Sequence, residues 1–349
     1  MRILQVISAE KWTGIAAVVL DWTRALQEAG VEAQFAFVAE SPLARRILPA
    51  GWARPVLTTV RSPWAFLRDA RELRRLLARE RFDVVHTHRS HDHALALLAT
   101  RGNGARLART VHHVAHLRRD PISRLVFRRT HAFSFANREI AERARRPGAV
   151  HSPVVDADRF RPGEKPAEIL QRHGLTRSDF VVGTVGKIAP GRGHAEAMDA
   201  AAPLGSGAVL LHVGKGESMQ ALRARMAEVR GVWAGYQEED LPLHYRAMDV
   251  FLFTASGSQQ GQRAILEAMA SGLPTVALPV PGVRDLLTDG VEGFVTADVS
   301  AATNALRRIA ADPQLRARLG EAARRRALAF GGAAFASSAR EFYDRVRGA

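Results

Sequence analysis

Short apolar runs of the strand type alternate with longer segments of helical periodicity through most of the chain, and the alternation starts afresh near its midpoint. Strands separated by helices in this way become parallel neighbours, because each strand is re-entered from the same end through a crossover. Strands are expected at 3–7, 33–38, 83–86 and 107–111, with helices at 15–29 and 63–81 between them. The second series places strands at 180–185, 209–213, 232–234, 250–254 and 275–277, with helices at 193–202, 217–229, 263–271 and 300–329. The expected fold class is therefore α/β, two Rossmann-like domains at 1–160 and 161–331, with the Pro- and charge-bearing stretch 156–166 as connector. A chain of 349 residues with 47% apolar content suits two cores of that size. Ligands of open parallel sheets bind beyond the carboxyl ends of the strands, so the chemistry is expected in those loops, and two facing sheets imply a cleft.

Composition removes several classes of function. The chain has no cysteine, which excludes a thiol nucleophile, a disulfide framework and a thiolate metal site. The opening MRILQVIS reads as a strand, and no apolar run approaches the roughly 18 residues of a membrane span, so a cytoplasmic protein is expected. The net charge of +15 is uneven, at +12 for residues 1–160 and +3 for 161–349. Such a basic face attracts phosphates, anionic lipid or a charged substrate; a general preference for Arg is the alternative.

In the second half, GTVGKIAPGRGH (183–194) follows a buried strand and precedes a helix. Gly186 lets backbone approach a ligand, and Lys187 and Arg192 put two cations near a helix amino terminus, an arrangement that a diphosphate satisfies. Glycine at strand-to-helix turns also has a purely steric use. Gly214 and Tyr236 sit at two further strand ends; Tyr236 is either a platform for a base or a core aromatic. The stretch SQQGQR (258–263) then opens a helix whose first amides, at Gly261, Gln262 and Arg263, favour an anion. Glu267 lies one turn further in, among Ile265, Leu266, Met269 and Ala270. A carboxylate there needs hydrogen-bond donors, which paired ribose hydroxyls would supply; an exposed or Arg-paired glutamate is the alternative.

LEAMASGLPTVA, with the Lys187–Arg192 loop before it and PGVRDLLTDGVEGFV after it, resembles the donor domain of retaining glycosyltransferase family 4, which has the GT-B fold; the match covers about 180–330. The resemblance implies that Glu267 holds the donor ribose, that Lys187 and Arg192 bind the diphosphate, that 1–160 is the acceptor-side domain, and that a final helix at 333–346 crosses back onto it. It implies a nucleotide-diphosphate sugar as substrate, no separate cofactor and no metal. The family commonly carries a second glutamate eight residues before the first. Here that position is Gln259, followed by Gln260, so an amide replaces a carboxylate and supplies neither negative charge nor a proton acceptor. Donor contacts can survive this change, whereas a mechanism that needs a carboxylate there cannot.

In the first half, the family places a Gly-rich loop after the first strand, and WTG (Trp12, Thr13, Gly14) looks like a reduced version of it. VVHTHRSHDH (84–93) and TVHHVAH (110–116) gather imidazoles that first suggest zinc, but no carboxylate cluster accompanies them. The resemblance instead puts His112 beside the transferred sugar, where an imidazole hydrogen-bonds the sugar or the leaving phosphate oxygen, with His86 and His88 on the acceptor side. The Arg-rich segments 61–83 and 116–133 suit contact with anionic membrane and a glycan or lipid-linked acceptor; a solvated helix face is the alternative. Competing readings are a catalytically altered GT-B relative, an epimerase or phosphorylase, and a basic nucleic-acid-binding protein. No recognition-helix module supports the last, and no nucleic-acid partner is expected.

Overall fold

The computed structural model of the chain describes every residue except 10–12, 42–43, 45–50, 59–61, 118–120, 218, 256–261 and 349, and only the backbone of 121–124 and 219. The chain divides into two compact units, Met1–Val154 with Gly332–Ala349, and Val155–Gly331. The division falls at Val154 rather than at 160 because the irregular segment just beyond it already belongs to the second unit. Val155 N donates to Phe330 O, and Val155 and Phe160 are buried in the second unit's core.

The first unit holds β1 (Arg2–Ile7), β2 (Glu32–Val38), β3 (Ala53–Leu57), β4 (Val84–Thr87), β5 (Arg106–Val111), β6 (Ala132–Phe135) and β7 (Ala149–Val150). All pairs are parallel, in the order β3-β2-β1-β4-β5-β6-β7. A parallel sheet is covered on both faces, so its inner strands are apolar throughout rather than alternating. Leu4, Val6, Ala36 and Val85 pack on one side against Leu73 and Leu77 of the helix Pro63–Arg79 and Leu95 of the helix Ser90–Ala99. Ile3, Ala33, Val84 and Ala108 pack on the other against the helices Gly14–Glu28 and Gly332–Gly348. The strands β3, β6 and β7 are absent from the sequence reading; β3 carries Arg54 and Pro55 at the sheet edge, and β6 and β7 are too short to show a period.

The helix Gly332–Gly348 belongs to this unit although it follows the second in sequence. Its Phe335 ring stacks on Trp22 at 5.1 Å between centroids and 12° between planes, and Phe342, Tyr343 and Val346 are buried beside it.

The second unit is built on β8 (Phe180–Val185), β9 (Ala208–Val213), β10 (Gly231–Gly235), β11 (Val250–Phe253), β12 (Thr275–Ala277) and β13 (Gly293–Val295), in the order β10-β9-β8-β11-β12-β13. The expected helix 300–329 is two helices, Val299–Ala311 and Pro313–Leu328. Pro313 has no amide hydrogen to continue the first, and Asp312 Oδ1 caps the second by accepting from Gln314 N and Leu315 N.

Replacing Phe335 with Ala is expected to lower the stability of the first unit by about 3 kcal/mol, since the stacked ring leaves a cavity over Trp22. Urea unfolding followed by tryptophan fluorescence measures it.

Candidate functional site

Each sheet reverses its strand order at its first strand: β1 lies between β2 and β4, and β8 between β9 and β11. Loops leaving the carboxyl ends of such a pair run to opposite sides and open a crevice between them. In the second unit these are the loops that follow β8 and β11, and they carry the two segments singled out from the sequence.

The two loops are held together through glycine. Gly193 has φ 74°, and a Cβ on it would stand 2.0 Å from Thr254 O; Thr254 Oγ1 donates to Gly193 O at 2.6 Å. Gly214 is excluded from bearing a side chain by Gly186 O, 1.8 Å from where its Cβ would be, so Gly186 and Gly214 bring neighbouring loops into contact. Lys187 extends from this framework with its side chain 58% exposed and Nζ 3.3 Å from Glu217 Oε1. That pair is solvated on both sides and yields readily to a better anion. Arg192 lies in the same loop, just before the amino terminus of the helix His194–Ala201. Two cations, a helix start and a close-packed glycine loop therefore meet at one switch point.

Glu267 is buried, at 5% exposure, on the helix Gln262–Ala270. Tyr245 OH donates to Oε2 at 3.0 Å and Arg263 Nε to Oε1 at 2.8 Å. The pairing with Arg that belonged to the alternative reading is present, but on a buried rather than a surface glutamate. A carboxylate offers about four lone-pair directions, and these bonds use two, which leaves acceptor capacity for hydroxyls. Burial beside Glu267 pushes the Tyr245 phenol well above its usual range, so it remains a donor. Gln262 is buried and donates to Pro281 O at 3.2 Å, so its side chain braces the helix start while its position in the first turn remains as expected.

Tyr236 is 48% exposed, which rules out the core-aromatic alternative. Lys215 Nζ lies 5.0 Å from its ring centroid and its hydroxyl donates to Glu238 Oε2 at 3.2 Å. Trp12, Gln259, Gln260 and Gly261 lie outside the described residues.

In the first unit, Thr13 caps the helix Gly14–Glu28, its Oγ1 accepting from Ala16 N at 3.2 Å, and Gly14 is the first helical residue. Both residues therefore belong to the start of that helix. His86 and His88 are 0% and 1% exposed, which places them in the interior rather than on an acceptor-facing surface. Spacing by two puts Gln5, His86, His88, Thr110 and His112 on one face of the sheet. His112 Nε2 is 3.1 Å from His88 Nδ1, His88 Nε2 is 2.8 Å from Gln5 Oε1, and Gln5 Nε2 is 2.9 Å from Tyr343 OH. The same hydroxyl is 2.7 Å from His86 Nδ1, and His86 Nε2 is 2.8 Å from Thr110 Oγ1. His112 is 7% exposed and stacks on Trp22. Among the described residues no group of three or more His, Asp or Glu is placed to hold a metal ion.

Several supporting residues escaped the sequence reading. His212 of β9 is 3.2 Å from Gly186 O and His194 is 3.1 Å from Lys187 O, so two imidazoles hold consecutive carbonyls at the start of the cationic loop. A visible signal was GRGH, in which His194 directly follows the loop. Tyr245 left no local trace, because it reaches Glu267 from a helix 22 residues earlier. Asp92 accepts from Ser8 N at 3.0 Å and from Ser8 Oγ, which fixes the loop after β1.

The family model described as Glycosyltransferase Family 4 matches residues 12–157, and that described as Glycosyl transferases group 1 matches 179–312. The chain is 30% identical to a D-inositol 3-phosphate glycosyltransferase of Frankia alni over 297 residues, 73% of this chain and 72% of the relative. It is 34% identical to the protein of the same name from Streptomyces avermitilis over 214 residues, 56% of this chain but only 46% of that relative's length. A crystal structure of Anabaena HepE in complex with UDP superposes with a TM-score of 0.85 at 18% identity, covering 98% of this chain and 99% of the other.

The buried imidazoles make acid the weak side of this fold. Burial holds His93, His112 and His212 down at about 3 and His151 at about 4, with His86 and His88 well below the ordinary value. A depressed histidine stabilises the native state above its unfolded value of about 6.5, and that stability is lost as pH falls toward the folded value, at up to roughly 1.4 kcal/mol per group per pH unit. Asp92, which burial raises to about 6, acts the other way, its contribution being present at low pH and lost as pH rises through 6. The histidines outnumber it, so the melting temperature is expected to fall steeply from pH 6.5 to pH 4.5, as thermal unfolding across that range measures.

Proposed function

The chain belongs to glycosyltransferase family 4, and from that premise we propose that it transfers a sugar from a UDP- or GDP-linked donor to a glycan or lipid-linked acceptor, with retention and without a metal. The observation that carries this reading is the second unit's switch point. There Lys187, Arg192 and a helix amino terminus stand together, and a buried Glu267 keeps acceptor capacity for hydroxyls.

The diphosphate leaving group gains negative charge as the glycosidic bond breaks. Lys187, Arg192 and the amides near the start of the helix Gln262–Ala270 stabilise it, since fixed cations and aligned dipoles need no reorganisation as charge develops. Glu267 takes hydrogen bonds from the ribose, and the exposed ring of Tyr236 is placed for a base. His112 hydrogen-bonds the transferred sugar. Named relatives that use GDP-mannose, and the HepE structure with UDP, support the choice of donors. A catalytically altered relative is the second reading, favoured by Gln259 where the family has a carboxylate.

On the acceptor side, the helix Pro63–Arg79 turns Ala70, Leu73 and Leu77 into the core. It leaves Trp64 80% and Leu67 40% exposed, on the face that also presents Arg68, Arg71 and Arg75. An exposed indole among arginines suits an anionic membrane surface. No described helix is long and apolar enough to cross a membrane. The proposal is peripheral contact with the cytoplasmic face.

Thermal shift against nucleoside diphosphates, followed by sugar-release assays with UDP- and GDP-sugars, tests the reading; no response to any nucleoside diphosphate removes it. Lys187→Ala is expected to lower kcat by about 100-fold with a smaller change in KM, as loss of one charge-stabilising group does. Exchanging Trp64 for Ser is expected to weaken co-sedimentation with phosphatidylglycerol vesicles while leaving turnover of a soluble acceptor unchanged.

A further inference from the structure

The hydrogen bonds that link His112 to the C-terminal helix form one unbranched chain, and that chain has a direction. It runs from His112 through His88, Gln5 and Tyr343 to His86, Thr110 and Ser134, where Thr110 Oγ1 and Ser134 Oγ are 2.6 Å apart. Gln5 is the only member whose two ends differ in kind, since its amide nitrogen can only donate and its amide oxygen can only accept. Its nitrogen faces Tyr343, so the phenolic oxygen accepts there and its hydrogen goes to His86 Nδ1. The latter contact is 2.7 Å long. His86 then donates from Nε2 to Thr110. On the other side, Gln5 Oε1 accepts from His88 Nε2, His88 Nδ1 is left bare, and His112 must donate to it from Nε2.

Turning the Gln5 amide over would reverse every bond in the chain. His112 would then carry its proton on Nδ1, and its outward nitrogen would be a donor instead of an acceptor. In either arrangement the Tyr343 hydroxyl donates one bond and accepts one, but only the arrangement in the structure gives the phenolic hydrogen to an imidazole nitrogen, a stronger acceptor than an amide oxygen. That hydroxyl comes from the helix Gly332–Gly348, which closes over β1, β4 and β5 only after the second unit has been traversed.

We propose that Tyr343 is a positioning residue for His112: through Gln5 and His88 it holds the imidazole in the Nε2–H tautomer and leaves Nδ1 as an acceptor. His112 therefore accepts a hydrogen bond from a sugar hydroxyl and does not donate to the leaving phosphate. The catalytic consequence rests on the sugar-contacting role of His112 given above, whereas the tautomer itself does not.

The test is nitrogen-15 NMR of histidine-labelled protein recorded without substrate, with the His112 signals identified by their loss in His112→Gln. Wild-type protein is expected to show His112 as Nε2–H, and Tyr343→Phe to show a mixture of tautomers. In the same variant kcat is expected to fall by about tenfold with donor KM within about twofold, the pattern of a lost orientation rather than lost binding. Gln5→Met breaks the chain at a residue outside the C-terminal helix and is expected to act alike, should Tyr343→Phe fail to fold. An Nδ1–H tautomer in wild type overturns the proposal, as does an unchanged His112 tautomer in a folded Tyr343→Phe or Gln5→Met protein. If wild-type protein binds no nucleoside diphosphate, the transferase reading falls while these spectra still decide the tautomer.

Discussion

The parallel pairing of a central strand with neighbours on both sides governs everything else in each unit. Once β1 has β2 on one flank and β4 on the other, and β8 has β9 and β11, the connecting helices must cover both faces. The loops at the carboxyl ends must then separate. A crevice at that point is a geometric result of strand order, and backbone amides and helix starts are left facing it. At Gly193 and Gly214 neighbouring loops still touch before they part, and there is room there for backbone but not for Cβ atoms.

The crevice walls need polar groups, and polar groups next to a dry core must find partners. Glu267 sits among buried Ile265, Leu266 and Met269, and it is tolerable there because Tyr245 and Arg263 donate to it. The histidines of the first unit solve the same problem as neutral rings linked end to end. Loss of proton affinity is the cost, and it makes the network sensitive to acid. An apolar filling would avoid that cost but would offer no oriented nitrogen at His112.

The C-terminal helix joins these two themes. It supplies apolar area through Phe335 and Phe342, and one hydroxyl through Tyr343 that ends up inside the polar chain. Its packing on Trp22 and its hydrogen bond to Gln5 are made by residues more than 300 positions apart in sequence.

The sequence by itself determined the α/β class, the two-unit organisation and the segments that carry the candidate site, because apolar period and glycine-rich strand ends are local signals, while the place of the C-terminal helix came from the family resemblance. Glu267 was legible as a carboxylate on an apolar helix, and the histidines as residues spaced by two. Only the tertiary structure decided what those residues touch. Tyr245 against Glu267, His212 against Gly186 and Tyr343 between Gln5 and His86 are meetings of distant segments with no period or spacing to announce them. The same holds for Trp64 and Leu67, whose exposure depends on which face of their helix the sheet covers. A one-dimensional pattern records which residues prefer burial, and the neighbour that satisfies a buried polar atom is set by how the layers close.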